Sequence, residues 1–194
     1  MRMKGMSKLI LATMAVVLSS SAPLVREAAA FAVRESSEQG SESALKREVR
    51  HELVTLPRYD VFDWLEYEVK GDGTVVLRGQ VNEPITKSDA EGRIKQLEGV
   101  TKVVNEIEVL PLSPNDDRLR RRLYFALFGQ NSPLFRYGVR AVPPIHIIVK
   151  NGRATLKGVV ANESDKNIAY IRARSVPGLF EVRNELTVER PAAR

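Results

Sequence analysis

The sequence predicts an α+β fold of two tandem α-β-β-α-β domains, each a small three-stranded mixed sheet packed with two helices. Three observations carry this. The second half repeats the first in an ungapped register of 79 residues, so that Gly79-Gln-Val81 falls on Gly158-Val-Val160 and Asn105-Glu106-Ile107 on Asn184-Glu185-Leu186. Ten of the 31 positions from 79 to 109 are identical to their counterparts. Helix-period and strand-period patterns follow one another in the same order in both halves, and a repeat of this length is a whole small domain, not a solenoid unit.

At the N-terminus, Arg2, Lys4 and Lys8 precede the apolar run Leu9 to Leu18, and Ala28-Ala29-Ala30 and Ala30-Phe31-Ala32 offer small-residue cleavage sites. This predicts a signal peptide over 1–32. The apolar run is about half the roughly 20 residues needed to span a bilayer. Residues 33–43 are polar and aperiodic, which predicts a flexible leader. From Ala44, Leu45, Val49, Leu53 and Leu56 recur at helical spacing until Pro57. Trp64–Val69 and Thr74–Val81 are β-rich and joined by Gly71-Asp72-Gly73, a hairpin signal. A helix follows at about Thr86–Leu97, with Ala90, Ile94 and Leu97 on one face and Gly99 closing it. Val100–Leu110, with Val103, Asn105, Ile107 and Val109 alternating, completes a first domain over 44–112.

The link Pro111-Leu-Ser-Pro114 is short and stiff, with Ser113 or Asn115 available as the next N-cap. The second domain, 113–190, repeats the order. A helix spans about Asn115–Phe128, strands Ile145–Lys150 and Ala154–Val160 flank Asn151-Gly152, a helix spans about Ser164–Ser175, and a strand runs to Val188. Its hairpin is one residue shorter than the first. Residues 191–194 form a tail.

Composition bounds the chemistry. The chain has no cysteine, hence no disulfide and no thiol to carry a lipoprotein's lipid. With the signal removed, the product is expected in the periplasm. The formal charge of +6 is unevenly spread: residues 44–112 carry −3 and residues 113–194 carry +8. An anionic partner is expected to meet the second domain.

Nothing points to catalysis. Only His51 and His146 supply imidazoles, and each is read as structural. No G-x-S-x-G elbow or H-E-x-x-H pair is present. Asp116-Asp117 reads as a helix cap, not a metal site. No cofactor, metal or small-molecule substrate is identified. Trp64, the sole tryptophan, is read as structural.

The glycines ending the second strand of each unit (Gly79, Gly158), those after the second helix (Gly99, Gly178), and the closing Val-x-Asn-Glu-(Ile/Leu)-x-Val strands resemble the BON family, the bacterial osmotic-stress and nodulation domain. The resemblance covers about 44–190. It implies a non-enzymatic bacterial envelope protein linked to osmotic or membrane stress, with phospholipid interaction proposed for several members. One outer-membrane member is a lipoprotein, and this chain departs from it by lacking the cysteine. The four glycines are read as fold residues, and Asn105 and Asn184 as side chains that bond neighbouring backbone at the helix–strand junction.

The helix Arg118-Leu-Arg-Arg-Arg-Leu-Tyr-Phe-Ala-Leu-Phe128 stands apart. Leu119, Leu123, Ala126 and Leu127 share its core stripe, whereas Arg121, Tyr124, Phe125 and Phe128 fall opposite. Two readings remain open here. Arg118, Arg121 and Arg122 pair with an anionic phospholipid surface while Tyr124, Phe125 and Phe128 enter the headgroups. Alternatively, the aromatics pack between the domains of an adaptor for an envelope protein. Phe135, Arg136 and Tyr137 either extend this patch or fold back onto the domain. Nucleic acid is not expected as a partner, because the Gly-x-x-Gly clamp and strand aromatics of RNA-binding modules are missing.

Overall fold

The computed structural model describes residues 40–190; the expected signal peptide, residues 33–39 of the leader and the tail 191–194 lie outside them. Helix α1 covers 40–54, so residues 40–43, expected as flexible leader, are helical instead. A Glu42–Lys46 ion pair at 2.5 Å and an Arg47 bond to the Ser43 hydroxyl at 3.4 Å extend the helix on polar residues, which apolar periodicity does not register. Leu45, Val49, Leu53 and Leu56 are all buried in the first core, as their spacing predicts.

Strands β1 (Trp64–Val69) and β2 (Thr74–Val81) pair antiparallel. Helix α2 (Pro84–Ile94) starts two residues earlier than expected, on a proline whose fixed φ suits a first turn. It returns the chain to β3 (Lys102–Asn105) and β4 (Glu108–Val109), both parallel to β2. The expected single closing strand is thus interrupted at Glu106 and Ile107. Leu77 still faces Asn105 and Gln80 faces Glu108, so the register is the same on both sides of the break.

The second domain contains α3 (Pro114–Phe128), β5 (Ile145–Lys150), β6 (Arg153–Val160), α5 (Glu163–Arg174) and an unbroken β7 (Glu181–Val188). A four-residue helix α4 (Phe135–Gly138), not foreseen in the sequence, lies between α3 and β5. β6 is central, antiparallel to β5 and parallel to β7. Each domain is therefore the expected mixed sheet with two principal helices. Ser113 settles the capping alternative, its hydroxyl accepting from the Asp116 amide at 3.2 Å.

Asn151 (φ 53°) and Gly152 (φ 73°) form the tight two-residue turn whose positive dihedrals match strand twist. The other hairpin is one residue longer between its equivalent pairs, Leu65↔Gly79 and Ile145↔Gly158. Gly79 and Gly158, at φ 122° and 120°, sit where a Cβ would be driven into the carbonyl oxygens of Trp64 and Pro144. Only glycine fits there. Gly99 and Gly178 are likewise left-handed, each after the second helix of its domain. Asn105 and Asn184 act alike: Nδ2 donates to Lys87 and Lys166 carbonyls at 3.1 and 3.0 Å, and Oδ1 accepts from the Ile107 and Leu186 amides.

The two cores are not independent. Between α1 and β1, Val61 enters the second domain's core, and its carbonyl accepts from the Ile147 amide on β5 at 2.7 Å. Glu66 meets Lys157 at 3.4 Å, and Glu108 pairs with Lys150, so first-domain acids face second-domain bases.

Candidate interaction surface

Helix α3 is fixed at both ends by polar bonds. The buried Asp116 carboxylate accepts from the Asn151 and Gly152 amides, both at 2.8 Å, and so ties the helix to the β5–β6 turn. This goes beyond the capping role read from sequence. Asp117 pairs at 2.5 Å with Arg120, which is buried and donates to the Val149 carbonyl at 2.8 Å. The arginine thereby covers part of the β5 edge.

The outward face of α3 consists of Arg118, Arg121, Arg122 and Phe125. Phe125 is 69% exposed. Among the described residues no carboxylate pairs with these three arginines. Arg118 reaches only the Asn115 side chain at 3.5 Å, and Arg122 the Pro177 carbonyl at 3.3 Å. Neighbouring helix α5 presents Ile171, 66% exposed, and Arg174 on its outer side. Arg172 joins the two helices by donating to the Ala126 carbonyl at 3.2 Å.

Two of the aromatics expected outward are elsewhere. Phe128 is 4% exposed and belongs to the second core. Its ring packs on Gly138, where a Cβ would collide with it. Tyr124 is half-buried, 5.3 Å from the Phe128 ring and 6.4 Å from that of Phe62 in the first domain. Helix periodicity places the stripe that faces the sheet; the connector and the Phe62 segment widen that stripe on one side. Phe125, in turn, is not buried between the domains, against the adaptor reading's expectation for it.

Of the connector aromatics, Phe135 stays exposed. Tyr137 folds back, its buried hydroxyl donating to Asp165 at 2.6 Å and accepting from the Ala161 amide at 2.9 Å. Arg136 pairs with the same carboxylate.

A second cluster escaped the sequence reading. His146, 4% exposed on β5, is held by the first domain. Its Nδ1 lies 3.2 Å from the Asp60 carbonyl and its Nε2 3.5 Å from the Tyr59 hydroxyl. The Tyr59 and Trp64 rings lie 5.3 and 5.2 Å from the imidazole. Burial lowers His146 below the usual histidine range and raises the Tyr59 hydroxyl. Asp63, 2% exposed, accepts from the Asn82 amide at 2.7 Å, and burial pushes its carboxyl up to about 6. A groove of about 380 Å³ beside His146 is lined by Tyr59, Trp64, Tyr67, Pro143 and Pro144, with Arg50 at its wall. Trp64 is structural, as expected, but as part of the domain junction. His51 is exposed on α1.

Matches to the BON domain cover residues 41–111 and 131–190. The chain belongs to the BON family. It carries two BON domains in tandem, and α3 lies in the interval that neither match covers. No match is found among curated proteins. Solved structures similar to the chain include CdsD, a structural protein of the type III secretion system of Chlamydia trachomatis, at 13% identity and TM-score 0.30, covering 75% of this chain and 92% of that one. The C-terminal domain of CdsD is similar at 13% identity and TM-score 0.29, covering 75% and 96%. Among the described residues, no helix is long and apolar enough to cross a membrane.

Proposed function

We propose that this tandem BON protein is a non-enzymatic component of the bacterial envelope, resident in the periplasm, that docks reversibly on anionic phospholipid through the outward face of α3. BON domains occur in periplasmic and envelope proteins, which supports the compartment. The observation that carries the docking reading is an exposed Phe125 amid Arg118, Arg121 and Arg122, none of them paired with a carboxylate among the described residues. An interfacial helix pairs apolar side chains with a basic face in this way. Each arginine near an anionic surface contributes about 1 kcal/mol. A buried phenylalanine adds about 2 kcal/mol. The sum of about 5 kcal/mol corresponds to an association constant on the order of 10⁴ M⁻¹. Such binding is weak, reversible and sensitive to salt. A role in envelope or osmotic stress protection rests on the same reading.

Vesicle flotation with the chain from residue 33 onward tests it. Co-flotation is expected with phosphatidylglycerol vesicles and not with phosphatidylcholine. Added salt and Phe125→Ala should weaken it, and Arg121→Ala or Arg122→Ala should each lower affinity about fivefold, the equivalent of about 1 kcal/mol. Failure to float with anionic vesicles at low salt rejects the docking.

A further inference from the structure

We propose that His146 is a proton-operated latch between the two BON domains: neutral, it closes the junction onto Tyr59, Asp60 and Trp64; protonated, it loosens the junction and opens the aromatic groove beside it.

The geometry sets the buried imidazole of the second domain among first-domain groups. Its Nδ1 faces a backbone carbonyl, that of Asp60, and so carries the proton of the neutral ring. Its Nε2 then accepts from the Tyr59 hydroxyl. A second proton on the ring turns Nε2 into a donor toward a hydroxyl oriented to donate, and it places a charge between two aromatic rings on a side chain that is 4% exposed. Among the described residues no carboxylate contacts the imidazole itself. The Asp60 carboxylate is occupied by the Phe62 amide at 2.7 Å and that of Asp63 by the Asn82 amide at 2.7 Å. From β1, Glu66 accepts from the Trp64 indole at 2.5 Å, and from β6, Lys157 lies 5.7 Å from the Trp64 ring. Arg50 of α1 lines the groove. Burial lowers the imidazole's affinity for a proton and outweighs the opposing backbone hydrogen bonds of Asp63, Asp60 and Pro143.

Linkage fixes the direction. A group that ionises only in the open state shifts the open-to-closed ratio by up to tenfold per pH unit below its open-state pKa. The latch thus opens as pH falls and closes as pH rises.

The protein carries its own reporters: Trp64 is the sole tryptophan, 5.2 Å from the ring, and His51 and His146 are the only histidines. Histidine NMR and tryptophan emission should be followed together from pH 7.5 to 4.5 on the chain from residue 33 onward. The His146 imidazole should titrate below the ordinary 6.5. The Trp64 emission should shift to the red along that curve, with a larger radius of gyration by X-ray scattering. In His146→Gln, which keeps a neutral polar side chain, the emission transition should vanish, whereas in the exposed-site control His51→Gln it should persist. A titration of His146 at or above 6.5 overturns the latch, since the two rings would then be holding the imidazolium. Emission that ignores the His146 titration, or a constant radius of gyration, overturns it equally. The wild-type titration decides the matter even if the glutamine variant does not fold.

Discussion

The Val61 carbonyl accepts from the Ile147 amide at 2.7 Å, while the Val61 side chain lies in the core of the domain to which Ile147 belongs. A residue that precedes every strand of the first domain is thus a structural part of the second. Val61→Ala should destabilise the second domain by about 1 to 3 kcal/mol, the range for truncating a buried aliphatic side chain. Urea unfolding followed by amide exchange on β5 and β6 reads this directly. Loss of protection confined to the first domain would contradict the shared core.

The glycines give a paired prediction of opposite sign. Gly158→Ala forces a Cβ toward the Pro144 carbonyl at a φ of 120°, so it should cost several kcal/mol or abolish folding. Gly92, within α2, has open space where its Cβ would be, and Gly92→Ala should stabilise by about 0.5 to 1 kcal/mol. Thermal melts of the two variants should move apart, the second upward by about 2 to 8 °C.

The same contrast explains what the sequence discloses. Gly79, Gly158, Asn105 and Asn184 are legible because each answers to a local demand that recurs 79 residues later. The contacts of Tyr59 and Asp60 with His146 join residues more than 80 positions apart in the chain. Neither periodicity nor repetition can mark such a residue. Half of the α3 surface was legible for a related reason. The helical wheel gives the angle of Phe125 and Phe128 but not the neighbours, and the connector's Gly138 and Tyr137 turn the latter into a core residue.

Asp63 predicts a pH dependence that opposes that of His146. Its carboxyl rises from an ordinary 3.8 to about 6 in the folded protein, so folding favours the protonated form. That stabilisation is complete below about 4 and is lost as pH rises through about 6. At 1.36 kcal/mol per pH unit it reaches at most about 3 kcal/mol. His146, lowered by burial, contributes stability above the ordinary histidine range and loses it as pH falls. In His146→Gln the unfolding free energy from urea titrations should therefore increase as pH drops from 7.5 to 5. A flat or declining profile in that variant would show that Asp63 is not held protonated.

Phe125 and Phe128 lie three residues apart on one helix and should behave as opposites. Phe128 fills the second core against Gly138 and Tyr124, so Phe128→Ala should cost about 3 to 5 kcal/mol. Phe125 is 69% exposed, its ring touching edge-on only that of Tyr124 at 5.9 Å, and Phe125→Ala should change stability by no more than about 0.5 kcal/mol. Chemical denaturation of the two variants at one pH measures both. If Phe125→Ala proves as costly as Phe128→Ala, that side chain is a core residue of this protein, and the outward face of α3 loses its apolar element.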